Sequence, residues 1–168
     1  VSQRFGDNTP VVKLDLKRAD AAELIGSDPV LAASPFARAV GAELKRVCEK
    51  AVVRRFPDKV VLMQQGDVGH SLFFVMKGDI RLFARKGSDT VELGAAHRGE
   101  VVGEVEVLEA SPRAYTAVAQ GEVDAVELPR DALFRSGRLL PALAAHLGEL
   151  RQRRQRALDE LTDFLNRW

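Results

Sequence analysis

Apolar positions change their spacing twice along the chain, and the changes divide it into three zones. Up to about Val53 the pattern is helical. Asn8-Thr9-Pro10, Asp28-Pro29 and Ser34-Pro35 punctuate a loosely patterned start. Phe36, Val40, Leu44, Val47, Cys48 and Ala51 then recur at the spacing of one helix face. This predicts one or two helices between Phe36 and Val53, with Cys48 buried on their apolar stripe. From Phe56 to Leu128 a period of two takes over. Val60-Val61-Leu62-Met63 and Leu72-Phe73-Phe74-Val75-Met76 are apolar runs of strand length. Ile80, Leu82 and Ala84 alternate with Asp79, Arg81 and Arg85; Val91 and Leu93 flank Glu92; Val126 and Leu128 flank Glu127. Glycine turns punctuate these runs at Gln65-Gly66-Asp67, Lys77-Gly78-Asp79, Lys86-Gly87-Ser88, Arg98-Gly99-Glu100 and Gln120-Gly121-Glu122. Short strands with regular glycine turns predict a sandwich or barrel.

The rhythm fails between Gly99 and Gly121, where the interval nearly doubles. The insert runs from Gly103 to Thr116. Within it, Glu104, Val105 and Leu108 have helical spacing, and Ser111-Pro112 stops the helix, because proline disfavours helical backbone in the residue before it. A short helix entered through glycine gathers free backbone N–H groups and a positive dipole end at one point. That is the outline of an anion site, which Arg113 could complete.

The third zone begins near Pro129-Arg130-Asp131. Pro141 suits a first helical turn, and a last helix of ~40 Å runs from there to Trp168. Leu143, Leu147, Leu150, Arg154, Ala157, Leu161, Phe164 and Trp168 form a heptad seam with one polar interruption. Such a seam favours a parallel dimer of two copies through the last helix, although the same stripe could fold back on the barrel. The expected organisation is therefore a partly helical N-terminal extension over residues 1–34, a barrel with flanking helices over 35–141 and a lid or dimerisation helix over 142–168.

Composition narrows the function. With 168 residues, 46% apolar and 29% charged, the chain has the mixture of a globular domain. Lys+Arg 25 against Asp+Glu 24 leaves a net charge of +1, low for a nucleic-acid-binding protein. No helix-turn-helix is visible, so this chain alone is expected not to read DNA. One cysteine excludes an intramolecular disulfide and a cysteine-rich zinc site. The longest stretch without a charge, Leu139 to Gly148, is too short to span a bilayer. No apolar core like that of a signal peptide follows Val1-Ser2-Gln3-Arg4, so a cytoplasmic location is expected. His70, His97 and His146 are scattered, and no nucleophile elbow, Cys–His constellation or phosphate loop occurs. No catalytic residue, metal or cofactor is therefore expected.

The insert and its surroundings together resemble a known family. Gly99-Glu100-Val101-Val102-Gly103-Glu104-Val105-Glu106-Val107-Leu108, followed by Ser111-Pro112-Arg113-Ala114, looks like the phosphate-binding cassette of cyclic nucleotide-binding domains. Gln65-Gly66-Asp67 resembles the family's turn before its third strand, and Phe73-Phe74-Val75-Met76-Lys77-Gly78-Asp79-Ile80 its central strand pair. The resemblance covers about Pro35 to Leu147. It implies an α+β, mainly β, fold: an eight-stranded double-stranded β-helix or jelly-roll barrel with N-terminal helices and a long C-terminal helix.

It also implies a ligand and a division of labour. Arg113 pairs with the cyclic phosphate, a bidentate match that lysine lacks. Glu104 accepts the ribose 2′-hydroxyl hydrogen bond. Gly103 lets the backbone approach the sugar, and N–H groups near Val105, Glu106 and Ala114 take the remaining phosphate oxygens. The last helix caps the base through candidates Leu150, Arg151, Arg154 and Leu158. Ala114 carries no hydroxyl for a guanine amino group, which favours cyclic AMP over cyclic GMP. The chain departs from the family at Glu100, at Val101-Val102, at Tyr115 and at Glu106, which puts a negative charge near the expected phosphate. Whether the helix turns Glu106 toward the site or away stays open in the sequence. Tyr115 is expected in barrel packing or at the rim, and Arg151 to Arg156 as a solvated helix face. The expected function is a non-catalytic cyclic nucleotide sensor that signals through its last helix, to a second copy in a homodimer or to an effector protein. The alternatives are a drifted barrel that serves protein interaction without nucleotide, and the sensor half of a larger transcription regulator.

Overall fold

The structure is a computed structural model that describes residues 12–13 and 20–166. The predicted turn at Asn8-Thr9-Pro10 and the end of the seam at Trp168 lie outside the described residues. A two-residue strand, β1 (Val12–Lys13), comes first. Three short helices follow, each opened by a side-chain cap: α1 (Ala21–Ser27) by Asp20, α2 (Pro29–Ala32) by Asp28 and α3 (Pro35–Val40) by Ser34. The caps satisfy N–H groups that a helix start leaves unpaired, and Pro29 and Pro35 sit at first-turn positions where no N–H is needed. The predicted helical stripe does not run on to Val53. Gly41, at φ +57°, breaks it into a 3₁₀ turn (Gly41–Glu43) and α4 (Leu44–Val47). β2 (Val52–Phe56) begins immediately after, because the β-branched pair Val52-Val53 is drawn into the sheet.

The remaining strands are β3 (Val61–Met63), β4 (Leu72–Lys86), β5 (Asp89–Ala96), β6 (Val101–Val102) and β7 (Thr116–Leu128), with helix α5 (Glu104–Glu109) between the last two. A hairpin of β8 (Phe134–Arg135) and β9 (Arg138–Leu139) leads into α6 (Pro141–Asn166). All strand pairs are antiparallel. Among the described residues the strands form a seven-stranded sheet and the β8–β9 pair, and Gly78 and Gly121, expected as turns between short strands, are bends inside β4 and β7. At Gly78, φ +89°, a Cβ would come within 2.4 Å of the Glu122 carbonyl oxygen, so only glycine lets β4 and β7 cross there. The bends divide the sheet into two arms that share β4 and β7: β2-β7-β4-β6 and β3-β7-β4-β5.

Between the arms lies one core, to which Phe56, Met63, Phe73, Val75, Ile80, Leu82, Val102, Ala117 and Val123 contribute. The outer face of the first arm carries the other, where Leu72, Phe74, Val101, Val126 and Leu128 meet the helices. Residues Leu72 to Val75 are therefore buried in succession, because side chains of alternating direction enter two different cores. Ala21, Ile25 and Leu31 join the helix-side core, and β1 pairs with Arg54 and Arg55, so these parts of the N-terminal region are built into the fold. The stripe of α6 folds back on its own barrel: Leu143, Leu147 and Leu150 complete the helix-side core, and Leu158 packs against the inner one.

Cys48 sits in the helix-side core, where burial pushes its thiol pKa up to about 11. Since only the thiolate reacts readily, a disulfide reagent at neutral pH should leave the native protein unlabelled and modify Cys48 at the rate of unfolding. Labelling within the mixing time would show that this core is open.

Candidate functional site

The two arms are joined across α5, and the chain can enter this helix only through glycine. Gly103 has φ +97°, and a Cβ there would lie 2.7 Å from the Ser71 carbonyl oxygen and 3.0 Å from Arg113 Nη1. The helix closes at Ala110, in left-handed backbone (φ +54°), whose N–H donates to the Glu106 carbonyl at 2.8 Å. Arg130 Nε donates to the Val107 carbonyl at 2.8 Å and satisfies one of the end groups.

The turn at Gln65-Gly66-Asp67 holds Arg113 by its backbone. Gly66 N–H donates to the Arg113 carbonyl at 2.8 Å, and Arg113 N–H donates to the Asp67 carbonyl at 2.9 Å. The guanidinium is only 7% exposed. Its Nη1 donates to the Ser71 carbonyl at 2.7 Å and to Glu106 Oε2 at 2.9 Å. Gly69 packs against it so closely that a Cβ would stand 3.0 Å from Nε. The other Glu106 oxygen, Oε1, accepts the Ala114 N–H at 2.9 Å. Glu106 thus points inward and is fully buried. Burial raises the pKa of its carboxyl group, against the Ala114 N–H and the Arg113 guanidinium, which favour the charged form.

A second cluster adjoins the first. Glu104 and Tyr115 are buried, and α6 lowers Arg154 onto them at 6% exposure. Tyr115 donates its phenol proton to Glu104 Oε2 at 2.6 Å and accepts the Gly103 N–H at 2.9 Å. Arg154 Nη1 donates to the same Glu104 oxygen at 2.8 Å and to the phenol oxygen at 3.1 Å. Burial raises the Tyr115 pKa well above its ordinary value, so the phenol keeps its proton. Glu104 Oε1 and Arg154 Nη2 are buried without a hydrogen-bond partner among the described residues. Two neighbouring contacts strengthen the hold on α6, an ion pair of Arg151 with Glu109 and one of Arg153 with Glu100 at 3.5 Å.

The structure therefore brings Gly103, Glu104, Glu106, Arg113, Ala114 and Arg154 to one place. Val105, half-buried on α5, has only its backbone N–H to offer. Of the arginine-rich run, only Arg154 is buried; Arg151, Arg153 and Arg156 form the expected exposed face. Sequence reasoning assigned Tyr115 to packing and missed its role as the hydroxyl that ties Gly103, Glu104 and Arg154 together. Its place directly after Arg113-Ala114, where the family carries a small residue, was the available signal. Among the described residues no group of His, Cys, Asp and Glu is arranged to hold a metal ion, and no helix is long and apolar enough to cross a membrane. The open cavity beside α6, lined by Pro35, Glu100, His146 and Arg153 among others, shares none of the five buried residues of the two clusters.

Removing one member of a buried ion pair leaves the other charge uncompensated, which costs roughly 3–5 kcal/mol. Arg154→Met, which keeps the aliphatic stem, should therefore lower the melting temperature by roughly 6–20 °C. Tyr115→Phe should cost about 1–3 kcal/mol through lost hydrogen bonds. Scanning calorimetry of both variants checks this, and an unchanged transition in Arg154→Met would refute a buried latch.

Residues 53–136 match the family profile described as cyclic nucleotide-binding domain. The chain is 32% identical over 114 residues to the cyclic AMP receptor protein of Thermus thermophilus, a match covering 67% of this chain and 53% of that protein. It spans about half the length of that relative. The crystal structure of the Thermus thermophilus catabolite activator protein superposes with a TM-score of 0.63 at 30% identity, over 79% of this chain and 63% of that one. The regulatory subunit of a cAMP-independent protein kinase A from Trypanosoma brucei shares the fold, with a TM-score of 0.66 at 18% identity over 77% of this chain and 48% of that one. With the profile spanning the barrel and the cassette geometry in place, this chain belongs to the cyclic nucleotide-binding domain family.

Proposed function

We propose that the chain is a non-catalytic regulatory domain that takes a cyclic mononucleotide at the Arg113–Glu104 site and reports occupancy through α6. The observation that carries this reading is convergence. A buried guanidinium, the Ala114 N–H and a buried carboxylate, the groups that the family resemblance gives to phosphate and ribose, meet at α5. Arg113 and the Ala114 N–H suit the cyclic phosphate, with backbone N–H groups at Val105 and Glu106 in support. Glu104 suits the ribose 2′-hydroxyl, and Gly103 keeps the approach open. Arg154 carries the signal, because among the described residues it is the one of α6 that pairs with Glu104. Cyclic AMP is favoured over cyclic GMP, because Ala114 offers no hydroxyl to a guanine. A second messenger as ligand and a buried, unreactive thiol both favour the cytoplasm. In a longer protein of which this chain were a part, the same domain would serve as the sensor half of a larger regulator.

A second reading rests on one observation: Arg113 and the Ala114 N–H are already hydrogen-bonded to Glu106. A site satisfied in this way would leave an interaction module that needs no nucleotide. The Trypanosoma brucei subunit bears on the choice. It was solved with cAMP in its A site as a mutant in which a glutamate became alanine and the residues seven and eight places further on became arginine and alanine. Glu106, Arg113 and Ala114 stand at that spacing here. The chain thus carries the arginine and alanine that accompany cAMP in that mutant, together with the glutamate that was removed from it.

Calorimetry with cyclic AMP and cyclic GMP tests the first reading. Wild type should give heat at millimolar cyclic AMP, and Arg113→Lys, which keeps the charge and loses the fork, should bind at least ~10-fold more weakly. No heat and no thermal shift from wild type or from Glu106→Gln would leave the nucleotide-free reading. Output through α6 takes the form of a homodimer or of an effector docking on its distal turns, where Leu161 and Phe164 are exposed. If the homodimer is the form, wild type sediments as a dimer and Phe164→Glu as a monomer; a monomeric wild type removes it.

A further inference from the structure

Two groups of this chain present, inside its own site, the chemistry of the ligand just assigned to it. Glu106 offers a delocalised anion with two oxygens, one on Arg113 Nη1 at 2.9 Å and one on the Ala114 N–H at 2.9 Å. Those are the donors given above to the cyclic phosphate. Tyr115 offers a hydroxyl that accepts the Gly103 N–H at 2.9 Å and donates to Glu104 at 2.6 Å. Glu104 is the group given above to the ribose 2′-hydroxyl, and Gly103 is where the backbone approaches the sugar. We propose that Glu106 and Tyr115 together are a built-in stand-in for the nucleotide, so that cyclic AMP enters only by exchange with them and α6 is docked without it. The proposal rests on the cyclic nucleotide reading of the site and adds how that site is regulated.

Electrostatics makes the exchange obligatory. A phosphate on Arg113 beside a charged Glu106 would put two anions in one buried place, and like charges at contact distance in low dielectric do not both persist. Space leads to the same conclusion. Tyr115 is 2% exposed, and its phenol oxygen lies against Glu104, the acceptor assigned to the ribose, and on the Gly103 N–H beside it. The latch to α6 is already made: Arg154 reaches Glu104 Oε2 and the phenol oxygen with Glu106 on Arg113. The stand-in is not a perfect fit. Glu104 Oε1 and Arg154 Nη2 stay buried without a partner among the described residues, which lowers the stability of the self-occupied state and keeps exchange within reach.

The experiment titrates cyclic AMP into wild type, Glu106→Gln, Glu106→Ala and the double variant Glu106→Ala/Tyr115→Ala. Circular dichroism confirms each fold, and hydrogen exchange follows the amides of α6 around Arg154. Glu106→Gln guards against misfolding, because it keeps the volume and an acceptor for the Ala114 N–H while losing the charge. Removing the competing anion should tighten cyclic AMP binding by about tenfold or more in both single variants. Wild-type α6 should be protected with or without cyclic AMP, whereas in the double variant protection should fall without nucleotide and return with it. Equal affinity in wild type and both single variants, or protection of wild-type α6 only when cyclic AMP is present, overturns the stand-in and leaves the cyclic AMP reading intact. Binding by none of the folded variants overturns both.

Discussion

A guanidinium buried at the junction of two sheet arms has to be given an anion. Arg113 is fixed there by its backbone, which the turn at Gly66-Asp67 grips on both sides, and by the glycines at 69 and 103 that leave it just enough room. Burying such a charge alone is prohibitive. In this chain the anion is Glu106: the helix that an incoming phosphate would meet supplies its own carboxylate. Most of the local architecture follows from that pairing. The left-handed entry at Gly103 sets the phase of α5, and that phase decides that Glu104 and Glu106 both face inward while Val105 is half-buried and Glu109 reaches out to α6.

The same phase ties the site to α6. Glu104 is held by Tyr115 and by Arg154, and Arg154 lies at the point where the stripe of α6 leaves the helix-side core. Leu143, Leu147 and Leu150 anchor the first half of the helix through apolar burial, which is indifferent to what the site contains. At Arg154 a polar attachment to the site is added, and beyond it Leu158 packs against the inner core. The first half of the helix is thus held by apolar burial alone, and the second by Arg154 and Leu158 together. A ligand shifts such an element only by its different affinity for the two positions, and on the proposed reading that difference would be felt at the Glu104–Arg154 contact.

Much of this was legible in the sequence, and the reasons divide by type of signal. The doubled interval between Gly99 and Gly121 marked the insert, because a helix between strands interrupts a period of two. Pro112 marked its end. The heptad spacing of α6 favours a partner helix over the fold-back that the structure shows, since a stripe of leucines reads the same whether it faces a partner or its own barrel. Gly78 and Gly121 were read as turns because a bend inside a long strand and a turn between two short ones use the same residue; only the approach of Glu122 to Gly78 separates them. Glu106 and Tyr115 were harder for a different reason. In a helix of six residues the direction of one side chain depends on the angle of entry, which is set by Gly103 against Ser71, a contact across many residues of chain. Tyr115 looked apolar in its context because its phenol finds partners on α5 and α6, neither of them near it in sequence.

One carboxylate accordingly decides how this site can be used. With a small residue at position 106, the Arg113 charge would have to wait for an external anion, and the site would be costly to leave empty and quick to fill. With Glu106 in place the charge is answered within the chain, and an external phosphate gains only the difference between itself and a carboxylate already held by two hydrogen bonds. That difference is smaller than the full desolvated attraction, so the exchange lies near balance where filling an empty site would not. A domain near balance responds to whatever else touches α6, because Arg154 is shared between the helix and the site. On the proposed reading, affinity given up for the nucleotide would become sensitivity to the helix, and because coupling is reciprocal the same buried pair would serve control from ligand to helix and from helix to ligand.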